Sequence, residues 1–328
     1  MFNYIVKRLL LAILILIGAS LIIFFLVRLM PTDYVDQKFA AAVAQGNMLP
    51  EDLARMKELY GLSGSIWNGY LTWLKNTLSG NLGDSFIYQK PVVDVLVEKM
   101  GISFILSLIA TILQFIIAIP LGIVSATKQY GVADYTVTVL AMMGISLPSF
   151  FFAALLMRVF SIELGWFPLQ GMVDATRMIE TGSLEYYLDI LHHLVLPMVV
   201  LVVLSIGGLM RYTRTNMLEV LNSDYIRTAR AKGVSEHSVV YKHAFRNTLI
   251  PLVTMMAGIL PGLFAGAMIT ETVFAIPGIG QASYNAVIQG DVPFIMTYNL
   301  FGSALAIIGV LLSDIMYAVV DPRVKLGG

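Results

Sequence analysis

Residues 100–127 read MGISFILSLIATILQFIIAIPLGIVSAT, without one Asp, Glu, Lys or Arg. A helix rises 1.5 Å per residue, so roughly 20 apolar residues cross a hydrocarbon core about 30 Å thick. In lipid the backbone must satisfy its own hydrogen bonds, which limits a crossing segment to a helix or a strand of a closed barrel. A run this long and unbroken is a helix. Working outward, five further charge-free runs are of the same kind: Leu9–Val27, Tyr135–Met157, the shorter Leu194–Met210, Asn247–Thr270 and Val292–Ser313. The sequence therefore predicts an all-α polytopic membrane protein with six transmembrane helices. Pro120, Pro148, Pro251 and Pro261 fall inside these runs, which membrane helices tolerate where neighbours satisfy the freed carbonyls.

Composition agrees. Of 328 residues, 58% are hydrophobic and 13% charged, against about 25% charged in a soluble domain, and the mean hydropathy is +0.80. A soluble globule and a disordered chain are both excluded. Lys plus Arg and Asp plus Glu each total 21, so no basic excess points to nucleic acid. The absence of cysteine removes disulfides, thiolate metal sites and a cysteine nucleophile. The first run reads as a retained helix rather than a signal peptide, because Arg28-Leu-Met-Pro31 offers no small-x-small cleavage site.

Charge sets the orientation. The segment between the fourth and fifth runs carries Arg211, Arg214, Arg227, Arg230, Lys232, Lys242 and Arg246. Lys7, Arg8, Lys128, Arg323 and Lys325 fall on the same side, whereas the opposite short loops carry Arg177 and, at a helix edge, Arg158. Lys and Arg stay cytoplasmic, so both termini are expected inside. The expected organisation is residues 1–30 for the N-terminal segment and first span, 31–99 for an extracytoplasmic loop subdomain, and 100–328 for the core, with a cytoplasmic region over 211–247. Within the outer loop, Ile66, Trp67, Tyr70, Leu71, Leu74 and Leu78 follow helical spacing. Trp67, Tyr70 and Trp73 suit a membrane interface.

Several chemistries are missing. No G-x-x-x-x-G-K-[ST] loop exists to cradle phosphates. The four histidines, His192, His193, His237 and His243, form no His-Glu-x-x-His pattern, and adjacent His192 and His193 diverge by about 100° on a helix; no metal site is expected. Ser103 and Ser146 follow glycines within spans, but a serine nucleophile needs a histidine within hydrogen-bond reach at the same depth. Asp314 lies within an apolar run, where a carboxylate costs roughly 2.5–3.5 kcal/mol at mid-span, and reads equally as functional or structural. Glu271 ends the fifth run on the outer side, a candidate for lining a vestibule. Gly258, Gly262 and Gly266 recur every four residues and offer a smooth face for close helix approach, either as packing or beside a path.

The most informative segment is Asn222–Pro251. Ser223 suits an N-cap and Gly233 a helix stop, enclosing Asp224, Tyr225, Ile226, Arg227, Thr228, Ala229, Arg230, Ala231 and Lys232. Ser235 is placed to cap a second helix over Glu236–Leu249. A short basic helix between spans either lies on anionic headgroups or docks on a partner; residue pattern leaves both open.

Here the chain resembles the membrane-spanning permease subunits of bacterial ATP-binding-cassette importers, in the peptide and nickel branch, and within it the B-type subunit. The family's cytoplasmic signature is Glu-Ala-Ala, three residues, then Gly; here it reads Arg227-Thr228-Ala229-Arg-Ala-Lys-Gly233, matching at the second Ala and the Gly. His243-Ala-Phe-Arg-Asn247, Gly80-Asn-Leu-Gly-Asp-Ser-Phe86, Leu164-Gly-Trp-Phe-Pro168, Glu271-Thr-Val-Phe-Ala-Ile-Pro-Gly-Ile-Gly280 and Asp321-Pro-Arg323 resemble further motifs of the branch, in order. Pro31-Thr32-Asp33 departs from the more usual Pro-Gly-Asp.

The resemblance implies a type I importer permease fold with both termini cytoplasmic. It implies a homologous second permease, two ATPase subunits that bind ATP and magnesium, and an extracytoplasmic solute-binding protein, with no cofactor on this chain and no enzymatic activity of its own. The cargo implied is short peptides, with nickel or another small solute as the family alternative and an ion-gradient carrier using Asp314 or Glu271 as the reading outside it. Residues 224–233 become a coupling helix that fits a groove on an ATPase, with Ala229 keeping its face shallow. Gly258, Gly262, Gly266, Glu271 and Asp314 become candidates for the path or its gate.

Overall fold

The computed structural model describes residues 2–29, 51, 58, 60–62, 64–174, 176–177 and 179–320. Among them regular structure is helical, with one isolated bridge between Asp84 and Pro91. The Pro31-Thr32-Asp33 and Asp321-Pro-Arg323 motifs and Lys325 lie outside the described residues.

Among the described residues four helices are long and apolar enough to cross a membrane: Leu10–Leu29 within α1 (Phe2–Leu29), Val92–Thr127 (α3), Leu184–Leu221 (α6), and Val292–Asp314 within α12 (Val292–Val320). Between α1 and α3 lies α2 (Ile66–Leu78). The run read as one helix over Tyr135–Met157 is broken. Helix α4 (Val132–Ser146) stops, and α5 (Ser149–Leu156) leads into a π-helical turn over Met157–Glu163, the two arms meeting at 102°. The cause is Pro148, whose ring disfavours helical backbone at the residue before it; Leu147 is extended, with ψ 128°. Counted as one span, the pair makes a fifth.

After α6 come the eight-residue α7 (Asp224–Ala231) and the short α8 (Glu236–Ser238), which continues through a π-helical turn, Val239–Ala244, into α9 (Phe245–Ala265). The run Asn247–Thr270 is likewise not one helix. Gly266 takes φ +76°, a left-handed backbone open chiefly to glycine, and α10 (Met268–Val273) restarts beyond it. The expected stripe Gly258–Gly262–Gly266 therefore has only two members on a helix. Helix α11 (Ile279–Gln289) precedes α12.

The chain forms two compact units. One comprises residues 1–101 and 282–311, the other 102–281 and 312–325, with the last few residues outside the described part. In the first, α2 packs on α1 through Phe24, Tyr70 and Trp73, with ring centroids 5.7–6.1 Å apart, and the Tyr70 hydroxyl meets Ser20 at 2.9 Å. In the second, α4 lies along α6. A side chain at Gly144 would come within 2.8 Å of the Val203 carbonyl, and one at Gly207 within 2.5 Å of the Ala141 carbonyl. Gly122, which faces the Met210 carbonyl on α6, permits close helix approach in the same way as these two. Added side chains at Gly258 and Gly262 would meet nothing within 4 Å in this chain.

Candidate functional site: the α7 elbow and its anchors

Helix α7 has a large polar share and one large apolar side chain pointing inward. Ile226 is fully buried in a cluster with Ile123 and Ala126 of α3, Met217 and Leu221 of α6, and Val239, Val240 and Ala244 of the π-helical turn. Burying one such side chain is worth about 1.5–3 kcal/mol. Ala229 and Val234 also pack against this cluster. Ala229 is therefore half-buried toward the chain's own core rather than on the open face expected for it. The open side carries Tyr225, Arg227, Thr228, Ala231 and Lys232, with Arg227 leaving 72% of its side chain exposed.

Both ends of α7 are built as the sequence indicates, though with different bonds. Ser223 occupies the N-cap position with extended backbone, but its hydroxyl donates back to the Val220 carbonyl at 2.6 Å instead of capping. Ser235 sits at the next N-cap, also without a side-chain cap. Gly233 ends the helix at φ +75°, and the N–H groups of Gly233 and Val234 donate to the Arg230 and Ala229 carbonyls at 3.0 and 3.2 Å. Two side-chain ties hold the elbow shut. Arg230 grips Glu236 with two hydrogen bonds of 3.1 and 2.7 Å, and the Asn247 amide donates to the Tyr225 hydroxyl at 3.1 Å. The guanidinium beside Glu236 holds that carboxyl below its usual range, and Glu236 in turn raises Arg230.

The scaffold beneath α7 has its own lock. Asp134, at the start of α4, is buried and accepts Arg214 of α6 in a two-pronged pair at 2.9 and 2.9 Å. Asp134 also accepts the Tyr130 N–H at 2.9 Å and the hydroxyl of Ser125 from α3. Arg214 lies one turn before Met217, so the pair ties α3, α4 and the cluster-bearing end of α6 together. The only sequence signal this aspartate carries is an acid in the first turn of a helix followed by an arginine on the next span.

Glu271 corrects the vestibule expectation. Its carboxylate is fully buried and accepts the Ser103 hydroxyl at 2.7 Å, the Ala267 N–H at 2.8 Å and the Gln281 N–H at 3.1 Å. A Cβ at Gly280 would lie 2.9 Å from the same carboxylate, so glycine is required beside it. The Ser103 hydroxyl also accepts the Ile279 N–H at 2.8 Å, which leaves it a fastener rather than a nucleophile. Glu271 thus folds the 271–281 motif onto α3 and faces no solvent. Phe274 and Ile276 from that motif complete a buried cluster with Leu106, Ala153, Leu196 and Val200.

In the other unit Asp291 does similar work. It is buried just before α12 and accepts the Ser85 hydroxyl at 2.5 Å and the Ile87 N–H at 3.1 Å, fixing the Gly80–Phe86 motif. The sequence signal is an Asp before an apolar run with Pro293 in its first turn. Asp314 is half-buried on α12, and Gly258 and Gly262 are on the exposed face of α9. None of these three joins the α7 elbow.

Two regions match a known family: residues 118–326 match the "binding-protein-dependent transport system inner membrane component" and residues 1–109 its N-terminal counterpart. The oligopeptide transport system permease protein AppB of Bacillus subtilis is 37% identical over 324 residues, covering 98% of this chain and 99% of AppB. The dipeptide transport system permease protein DppB of Alkalihalophilus pseudofirmus is 34% identical, covering 99% of this chain and all of DppB. The chain therefore belongs to the family of inner-membrane components of binding-protein-dependent transport systems.

Proposed function

We propose that this chain is one of two permease subunits of an ATP-driven importer for short peptides. In that reading six spans cross the membrane with both termini in the cytoplasm, the bent α4–α5 pair and the α9–α10 segment supplying the two that are not single straight helices. A second permease lines the path with it, a solute-binding protein delivers cargo on the outside, and two separate ATPases hold ATP and magnesium. The peptide cargo rests on the relatives' names. Ala229 and Glu271 act from within the fold, as packing and as the clasp of the outer motif.

The observation that carries the proposal is the α7 elbow. An isolated eight-residue helix is unstable in water, yet this one is ordered by Ile226 in a cluster shared by α3, α6 and the entry to α9. A push on Tyr225, Arg227 or Lys232 is therefore passed to three helices at once. A ligand shifts a two-state equilibrium only by its differential affinity for the states, and moving a 1:99 balance to 99:1 takes about 5.5 kcal/mol. ATP bound at the ATPases supplies that bias, and a rigid elbow delivers it to the spans.

Gly233→Val tests this in the reconstituted complex. A β-branched residue at φ +75° costs at least about 1–2 kcal/mol, though its side chain would strike nothing within 4 Å. The expected outcome is an assembled complex whose peptide uptake and peptide-stimulated ATPase both fall. Uptake and stimulated ATPase at wild-type level would refute the role.

A further inference from the structure

A groove of about 570 Å³ runs between the C-terminal part of α1 and the start of α2, a size within the roughly 300–1,000 Å³ of small-molecule sites. Its walls are hydrophobic, with Leu21, Phe24 and Phe25 from α1 facing Ile66 and Trp67 from α2. The single hydroxyl among the lining residues, on Tyr70, is already engaged with Ser20. Phe25 and Trp67 leave 49% and 70% of their surface open, so the described residues do not fill the groove.

Two observations identify the occupant. The α1 wall belongs to a membrane span, so hydrocarbon chains of the bilayer reach it without crossing water. Arg28 follows Leu21, Phe24 and Phe25 at i+7, i+4 and i+3, placing it on the same helix face at the groove's end. One of its nitrogens donates to the Gly64 carbonyl at 2.7 Å, which pins the guanidinium beside the start of α2, and among the described residues no carboxylate pairs with it. A guanidinium has five N–H donors and matches a phosphate in two-pronged fashion. Trp67 on the lip is a residue type enriched at the headgroup level.

We infer that this groove binds an anionic phospholipid from the leaflet at the C-terminal end of α1. One acyl chain lies in the slot, and the headgroup phosphate is held by Arg28. The lipid extends the apolar contact between α1 and α2 and acts as a structural ligand of the pair. This inference rests on α1 being a membrane span and is independent of the cargo.

Native mass spectrometry of the full complex, released from nanodiscs holding phosphatidylglycerol or phosphatidylcholine with identical chains, tests it. Phosphatidylglycerol is expected to be retained in preference to phosphatidylcholine. Arg28→Gln should reduce that preference about fivefold, the effect of one surface cation near anionic lipid, while Arg28→Lys, which keeps the charge but not the two-pronged fork, keeps only part of it. Ile22→Trp, which fills the slot from an exposed position of α1, should abolish retention of both lipids with helicity unchanged. Equal retention of the two lipids by the wild type would overturn the site, as would full retention by Ile22→Trp. Capture of a protein chain rather than lipid by a photo-reactive group at Leu26 would show the groove to be a protein interface instead.

Discussion

Ile226→Ala tests the anchor by which α7 passes force to the spans in the proposed importer. The side chain is fully buried among groups from α3, α6 and the π-helical turn, and such truncations cost about 2–5 kcal/mol. The other restraints on α7 are weaker. The exposed Arg230–Glu236 pair contributes about 0–1 kcal/mol, and the Tyr225–Asn247 hydrogen bond about 0.5–1.5 kcal/mol. Losing Ile226 therefore removes more than either tie alone and, over most of its range, more than the two together, which reach about 2.5 kcal/mol at most. At the lower bound of 2 kcal/mol, amide hydrogens of residues 226–232 should exchange about 30-fold faster, since 1.4 kcal/mol is a factor of ten. Hydrogen exchange on the assembled complex measures this, alongside peptide uptake and ATPase activity. Arg227→Ala, which removes an exposed side chain with only a 3.5 Å contact to Asp224, should leave exchange unchanged and weaken ATPase attachment. Wild-type protection over 226–232 in Ile226→Ala, or lost protection with uptake still coupled to ATP, would refute the anchoring role of Ile226.

Three further outcomes follow from the anchors. Asp134→Ala leaves Arg214 partly buried without its carboxylate, a loss of about 3–5 kcal/mol that thermal unfolding of the solubilised complex should register as reduced stability, with Asp134→Asn less severe. Glu271→Ala removes the acceptor of three donors, and each buried donor left unmade costs about 1–3 kcal/mol; protease nicking within 271–281 should appear in the variant and be absent from the wild type. The Arg230–Glu236 tie carries a pH sign. Glu236 is depressed by Arg230 below its usual 4.5, so its contribution is complete above that value and is lost as pH falls through the lowered one. Arg230 stays charged throughout. Exchange of residues 230–236, corrected for intrinsic rates, should therefore be flat from about pH 8 to 5 and rise only as pH falls past 4.5 through the lowered carboxyl value, and Glu236→Gln should abolish that rise.

What the sequence disclosed depended on the range of the interaction. Long charge-free runs depend on local hydrophobicity, and α1, α3, α6 and α12 emerged where the runs lie. Gly233 as a stop is equally local. The breaks at Pro148 and Gly266 were less legible, because proline and glycine occur both inside and between membrane helices, and Pro120, Pro197, Pro251 and Pro261 remain within theirs. Charged residues misled most. Glu271 reads as a vestibule residue because it ends an apolar run, but the contact that buries it against α3 comes from Ser103, 168 residues away in sequence. Asp134 and Asp291 likewise take their roles from partners distant in sequence, Arg214 and Ser85. Ala229 shows the limit of helical spacing: periodicity places it on a face with Tyr225 and Lys232, but only packing reveals that Ile226 turns that edge inward.

In the proposed importer α7 is the point where an ATPase grips this chain. Because the chain has no cysteine, Thr228→Cys on the exposed side of α7 provides a unique thiol, to be matched with single cysteines on the ATPase subunits. The expected result is a short-linker cross-link to one ATPase whose yield changes between the ATP-bound and nucleotide-free states. A thiol that reaches only water-soluble or lipid-borne reagents, with no ATPase cross-link in any nucleotide state of a transport-active complex, would contradict it.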